Sequence, residues 1–228
     1  MRRTLNVIRL QLINRQTFIW VPLIILGAAT AISILIYGMI PDDIAIYGGG
    51  GQAPLWYFFA IGISAMTLTF PFSQAMSITR REFFLGTMLT AIIASTLMGI
   101  LFLIGGGIEV ATNGYGVNGW VFYIPWLWEA GPLGAFVVYF TLALFFFVVG
   151  FTGATIYKSW GLMVLTIGWV ALALVLVGLS YLVTRFELWG QVWTGIGSLG
   201  ALGLALWGLV VTATLMGVSF LAFRRAIP

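Results

Sequence analysis

Six apolar runs, each long enough to cross a bilayer as a helix, follow one another along the chain. A transmembrane helix needs about 20 mostly apolar residues, and none of the runs contains Asp, Glu, Lys, Arg or His. Because apolar and polar positions do not alternate with a period of two, the pattern favours helices over strands. The runs cover about 17–40, 54–77, 84–106, 132–157, 161–183 and 200–223. We therefore predict an all-α integral membrane protein with six transmembrane helices.

Residues 1–16 have the pattern of an amphipathic helix. The apolar positions that share one helical face are Leu5, Ile8, Leu12 and Ile13. Charged and amide side chains lie on another face, and we expect an elbow helix in the inner membrane interface whose arginines meet anionic lipid headgroups. These arginines are Arg2, Arg9 and Arg15. A cleaved signal peptide is the alternative, but the apolar run that follows is too long for one.

Two connections on the outer side are longer than a turn. Residues 107–131 combine Gly and Asn turn signals with aromatic residues, and we expect them to lie along the outer membrane surface. Residues 184–199 are too short to cross the membrane and too apolar for a solvated loop, which suggests a re-entrant hairpin before the last span. The alternative is a last span that begins earlier and tilts.

The basic residues determine the predicted orientation. With the N-terminus inside, nine of the ten Lys and Arg residues fall on the inner side and only Arg185 lies outside. Five of the six acidic residues fall on the outer side, and Glu82 is the exception. Cytoplasmic loops carry an excess of Lys and Arg, so both termini of this multi-pass membrane protein are expected in the cytoplasm.

Composition removes several classes of function. The chain has 228 residues, of which 61% are hydrophobic and 7% charged, so it cannot build the surface of a soluble domain. We predict a single transmembrane domain over 1–228, with the elbow at 1–16 and the bundle at 17–228. The net charge of +4 comes from residues beside apolar runs, which excludes a nucleic-acid surface. Without Cys or His, disulfides and metal sites using these ligands are excluded.

No catalytic or energy-coupling motif is apparent. The sequence has no HExxH, no paired carboxylates within an apolar run and no P-loop, whose lysine would reach a phosphate. The only lysine, Lys158, follows no Gly-rich loop. Since the apolar runs hold no ionisable residue, proton coupling is also disfavoured. The chain is therefore not expected to be an enzyme, and any uphill transport would take its energy from another subunit.

The connection between the second and third runs carries a local signal. Thr79 and Glu82 have the spacing of a capping box, which predicts that Thr79 caps the third helix. Arg80 and Arg81 would then lie in its first turn, where they oppose the helix dipole. Positive-inside placement explains them without any partner. The functional alternative is a short segment, ending near Phe83, that presents charge to another protein.

The second run carries a polar stripe. Ser64, Thr67 and Gln74 share one helical face with Pro71, which is expected to kink the helix. Two explanations remain open for these hydroxyl and amide groups. They can act as contacts between helices, or they can touch a substrate.

The layout as a whole resembles the permease subunit of bacterial ABC export systems whose ATPase is a separate polypeptide. The features that carry the resemblance are the amphipathic elbow, the six spans, the Ser77 to Phe83 segment and the terminal Phe223-Arg224-Arg225-Ala226. It implies a permease dimer, either of two copies or with a related permease, bound to two ATPase subunits that hold ATP and Mg. It also implies that Thr79, Arg80, Arg81, Glu82 and Phe83 couple to the ATPase, and it favours the re-entrant hairpin. The family often has its larger outer region between spans five and six, whereas here the longer outer loop is 107–131, which leaves that loop without a role.

We therefore expect a permease that forms the path for a hydrophobic or amphiphilic substrate such as a lipid, antibiotic or peptide, with Ser64, Thr67 and Gln74 as candidate path residues. Two alternatives remain. One is a membrane immunity or assembly protein that transports nothing, and the other is an autonomous carrier or channel.

Overall fold

A computed structural model describes residues 7, 11, 16–40 and 45–223 of the chain. The described part is all-α apart from one very short strand pair. The six α-helices are α1 (Val21–Tyr37), α2 (Ala53–Ser64), α3 (Phe70–Ala75), α4 (Arg80–Ala111), α5 (Gly131–Arg185) and α6 (Trp189–Phe223). A π-helical turn, Gln16–Trp20, leads into α1, and a 3-10 turn, Gly49–Gln52, leads into α2.

Four helical stretches are long and apolar enough to cross a membrane, which indicates a multi-pass membrane protein. They are Gly49–Ala75, which includes α2 and α3, followed by α4, α5 and α6. The helix lengths give four candidate transmembrane stretches and not the predicted six. The fourth and fifth predicted spans lie in one helix, α5, and α1 has only 17 residues.

Two glycines interrupt the longest helices. Gly161 in α5 has φ 83° and Gly200 in α6 has φ 62°, both with ψ 177°. Only glycine adopts such angles readily, because a Cβ would clash with the backbone. Each interruption therefore divides its helix into two straight parts, and Gly200 separates residues 189–199 from the rest of α6. Both breaks lie at the start of a predicted apolar run, since these runs begin at about 161 and 200.

Pro71 affects the stretch that joins α2 to α3. Residues Ala65–Thr69 form a π-helical turn in which the N–H of Phe70 bonds to the carbonyl of Ala65. Proline lacks an N–H, and its ring crowds the carbonyl four residues earlier. The wider turn relieves that crowding, so the helix accommodates the predicted kink at this point.

The first half of α5 lies at the centre of the bundle. It packs against α2, α4 and α6, and its closest approach is to α2. There Gly62 faces the backbone of Phe147 and Gly150 faces the carbonyl of Phe59, and neither position has room for a Cβ. A Cβ added at Gly27 in α1 would meet nothing within 4 Å. By contrast, residues 162–199 are exposed along almost their whole length.

The outer connections pair with each other. Strand β1 (Ile46–Tyr47) runs parallel to β2 (Gly119–Trp120), with Ile46 opposite Gly119. The ring of Tyr37 at the end of α1 is buried against Gly48 and Gly119. Residues 107–131 are therefore folded onto the ends of the helices, and the first part of this segment still belongs to α4.

Candidate functional site

The predicted coupling segment begins with a capped helix. Thr79 caps α4, since its hydroxyl oxygen accepts from the N–H of Glu82 at 3.3 Å. The Glu82 carboxylate in turn accepts from the N–H of Thr79 at 3.2 Å and from its hydroxyl at 2.7 Å. The capping box predicted from the sequence is confirmed. The box orders the first turn of α4 and leaves Arg81 exposed beside a half-buried Arg80.

The turn before Thr79 is held tightly. Ser77 has a left-handed backbone with φ 57°, and the N–H of Ile78 bonds to the carbonyl of Ser73. The side chain of Gln74 donates to the carbonyl of Ile78 at 3.0 Å. Gln74, a candidate path residue in the sequence, therefore stabilises the turn that precedes α4.

Phe83 is buried, unlike the charged residues before it. It belongs to an inner aromatic cluster whose members are Phe70, Phe83, Phe84, Phe151, Phe220 and Phe223. The ring of Phe83 lies 5.3 Å from that of Phe70 and 5.9 Å from that of Phe223. The ring of Phe84 lies 5.1 Å from that of Phe220. The start of α4 is thus joined to α3, α5 and α6 through the inner aromatic cluster.

The other predicted path residues do not meet at a site. The hydroxyl of Ser64 donates to the carbonyl of Ala60, and that of Thr67 donates to the carbonyl of Ile63. Both bonds lie within one helical stretch. Through these bonds the two hydroxyls do not connect neighbouring helices, and each hydroxyl already has a hydrogen-bond partner. Such back-bonding to the preceding turn is common in apolar helices.

The elbow arginines Arg2, Arg9 and Arg15 lie outside the described residues. Within residues 1–16 the structure describes Val7 and Gln11, which are both buried, and Gln16, which is exposed. The Gln11 amide donates to the hydroxyl of Thr87 at 2.8 Å. This bond joins Gln11 to α4 about one turn after Phe83.

A half-open cavity of about 960 Å³ lies beside the break at Gly161. Its walls come from α2, from both halves of α5 and from α6. Six of its sixteen lining residues are aromatic, among them Trp56, Phe146, Trp160 and Trp169. Neither Ser64, Thr67 nor Gln74 lines it. The stripe read from the sequence and the cavity are therefore different features of the bundle.

Glu109 is a buried carboxylate in the segment 107–131, which the sequence predicted to lie along the outer membrane surface. It lies in the last turn of α4 with no exposed surface. Its oxygens accept three consecutive backbone N–H groups, those of Val121 at 2.9 Å, Phe122 at 2.9 Å and Tyr123 at 2.7 Å. The amides replace the water that a buried anion loses.

The peptide held by Glu109 is a junction between elements. The carbonyl of Phe122 accepts from the indole of Trp128 at 3.1 Å and from the hydroxyl of Tyr139 in α5. Gly105 and Gly106 of α4 leave the space that the rings of Phe122 and Trp128 occupy. No sequence motif indicates these contacts. The one signal in the sequence is a glutamate close after the apolar run that ends at about 106.

Tyr115 lies in the connection beyond α4. Burial, and to a lesser degree the nearby negative charge of Glu109, raise the pKa of Tyr115 to about 12. Its phenol therefore stays neutral at physiological pH.

No protein-family model, curated protein or solved structure matches this chain.

Proposed function

We propose that this chain is the membrane-spanning permease subunit of an ABC exporter that is driven by a separate ATPase. The observation that carries the proposal is the start of α4. There a capped first turn exposes Arg81, while Phe83 and Phe84 anchor the same turn in the inner aromatic cluster. A charged surface on such a rigid support suits the transmission of force from another protein.

The proposal includes six crossings in the bacterial inner membrane, with both termini inside. Straight, the 55-residue α5 would be about 80 Å long, far more than the roughly 30 Å of a hydrocarbon core. The break at Gly161 allows its two halves to cross separately. The π-helical turn and α1 together make the first crossing, and α6 makes the last, after residues 189–199 dip into the outer leaflet.

In the proposed cycle, ATP closes the two ATPase subunits, which hold the Mg ions, and these push on the segment from Thr79 to Phe83 of each permease copy. Arg80, Arg81 and Glu82 make charge-assisted contacts with the ATPase. Phe83 passes the movement to the helices of the inner aromatic cluster. The partner permease is a second copy, and the largely exposed residues 173–183, which do not line the cavity beside Gly161, offer it an apolar surface. The substrate is hydrophobic or amphiphilic, because the spans hold almost no charge.

Charge reversal tests the coupling surface. We expect Arg81→Glu to weaken ATPase binding at least tenfold, since a hydrogen bond to a charged group contributes about 1.5–3 kcal/mol. The measurement is co-purification of an ATPase from native membranes, together with stimulation of ATP hydrolysis. Arg185→Glu is the matched control, because Arg185 is also exposed but lies at the other end of a span.

Full ATPase binding by Arg81→Glu would leave positive-inside placement as the only reason for this arginine. If the purified chain transports a substrate in liposomes without any ATPase, it is an autonomous carrier or channel. If it co-purifies with no ATPase and transports nothing, the alternative of an immunity or assembly protein gains support.

A further inference from the structure

We propose that the cavity beside Gly161 binds the hydrocarbon chain of a membrane lipid. The cavity lies between helical stretches that are long and apolar enough to cross a membrane. In a bilayer such stretches lie in hydrocarbon, which places the opening of the cavity there and not in water. This site is separate from the coupling surface and does not require the chain to be a transporter.

The lining leaves no free hydroxyl for a ligand. Thr152 is the one polar side chain in the lining apart from the indole rings. Its hydroxyl donates to the carbonyl of Val148 at 2.6 Å and shares a hydrogen bond with Ser219 at 2.6 Å. No acidic or basic residue lines the cavity. A ligand with a charge or several polar groups would lose its hydration here without replacement.

An apolar cavity of this size needs an apolar occupant. Water is held in cavities by two to four polar partners, and this lining lacks them. An empty space of about 960 Å³ would forfeit the dispersion contacts of all the side chains around it. Hydrocarbon from the bilayer restores these dispersion contacts and needs no hydrogen bond.

The shape of the cavity suits one extended chain. Trp56 packs on Phe146 at 5.0 Å between ring centres, and both line the cavity. Trp160 lines it 14 residues further along α5, which corresponds to about 21 Å of helix. A single leaflet contributes about half of the roughly 30 Å hydrocarbon core. The cavity is therefore long enough to hold one acyl chain over the depth of a leaflet.

Two glycines keep the cavity wide. Gly153 and Gly168 line it from the two halves of α5, and a Cβ at either position would meet nothing within 4 Å. A larger side chain there would enter the cavity without striking the backbone. Gly178 also has open space within 4 Å but does not line the cavity, so it provides a matched control.

Photolabelling tests the proposal directly. The purified chain is placed in phosphatidylcholine vesicles in which a small share of the lipid carries a diazirine on one acyl chain, and labelled residues are mapped by mass spectrometry. We expect label at cavity residues such as Phe146 and Trp160 to exceed that at Leu97 and Ile104 of α4 at least fivefold. Leu97 and Ile104 are each 55% exposed and report ordinary lipid contact.

The filling variants give the second arm. Gly153→Leu and Gly168→Leu should each remove most of the label from the cavity and leave that at Leu97 unchanged. Gly178→Leu should change neither. Equal labelling of cavity and α4 in the wild-type chain, which requires no variant, would overturn the proposal. So would filling variants that fold, by their elution profile and melting temperature, yet keep the cavity label.

A second copy of the chain is the competing occupant. The sequence has no cysteine, so a single Val149→Cys substitution reports on that copy cleanly. A disulfide between copies at this position in native membranes would also overturn the proposal. None of these measurements needs an ATPase, so their outcome is independent of the test of the proposed function.

Discussion

At the scale of single residues, Glu109 has the most demanding environment in the described chain. A carboxylate at the C-terminal end of a helix faces the negative end of the helix dipole, and this one is also completely buried. The three amides of Val121 to Tyr123 offset both costs. Without Glu109 these three amides would lose their acceptor. Glu109 and the connection that follows α4 therefore stabilise each other.

We expect Glu109→Ala to lower the free energy of unfolding by about 3 kcal/mol, because buried N–H groups without an acceptor cost about 1–3 kcal/mol each and water will reach some of them. Glu109→Gln should fall between this variant and the wild type, since one amide oxygen replaces two carboxylate oxygens. Thermal unfolding in detergent measures both. Glu187→Ala is the control, as Glu187 is exposed. Equal melting temperatures for all four proteins would show that the three bonds contribute nothing.

At the scale of elements, the contact of α2 with α5 depends on small residues. Gly62 and Gly150 bring the two backbones together so closely that a methyl group on either would overlap a carbonyl oxygen of the other helix. Helices in membranes gain their association from such packing, because lipid provides no hydrophobic driving force between them.

Gly150→Ala should destabilise the bundle by about 1–3 kcal/mol, as overpacking a tight contact does. Gly153→Ala is matched to it, one turn further along the same helix with nothing within 4 Å. That control should be neutral or slightly stabilising, because alanine favours a helix over glycine by up to about 1 kcal/mol. The melting temperatures of the two variants measure this difference in stability. A Gly150→Ala protein as stable as Gly153→Ala would mean that the helices can move apart freely.

The cap of α4 is a second element whose effect can be measured. Thr79→Ala removes the oxygen that accepts from Glu82 and should cost about 1 kcal/mol. Thr79→Ser keeps that oxygen and should restore the stability. If the proposed function holds, the alanine variant will also stimulate the ATPase less, because the first turn of α4 frays. Identical behaviour of the alanine and serine variants would show that the cap is dispensable.

At the scale of the whole molecule, the number of crossings depends on how α5 lies in the membrane. A single crossing by α5 would place residues 133 and 186 on opposite faces. Two crossings, separated at Gly161, place both on the outer face. The four long helices alone do not distinguish these arrangements, whereas the proposed permease requires the second.

Because the chain has no cysteine, single cysteine substitutions can show on which face of the membrane a position lies. Leu133 and Phe186 are 80% and 65% exposed, and Tyr157, near the end of the first half of α5, is 46% exposed. In intact spheroplasts an impermeant maleimide should label Leu133→Cys and Phe186→Cys, and Tyr157→Cys only after permeabilisation. Labelling of Leu133→Cys and Phe186→Cys from opposite faces would refute six crossings.

Local and compositional features could be predicted from the sequence because they involve neighbouring residues or simple length. Thr79 and Glu82 lie within one helical turn, so their capping box depends on no distant contact. Long continuous apolar stretches favour membrane helices, because a helix satisfies every backbone group within the stretch itself. The number of those helices was less accessible, because hydropathy shows where an apolar run ends but not whether the helix ends with it, as at Gly161 and Gly200.

Tertiary structure alone decided where the polar and aromatic groups go. Gln74 has the spacing of a polar stripe, but it reaches the carbonyl of Ile78 because the turn after α3 brings that group back. Glu109 is buried because the chain returns twelve to fourteen residues later and presents three amides. The cavity exists because α5 breaks between Trp160 and Leu162, so that its two halves, α2 and α6 can surround one space. The Glu109 contacts and the cavity join segments that are far apart along the chain, and the Gln74 bond depends on a left-handed turn at Ser77 that the spacing of polar residues does not encode.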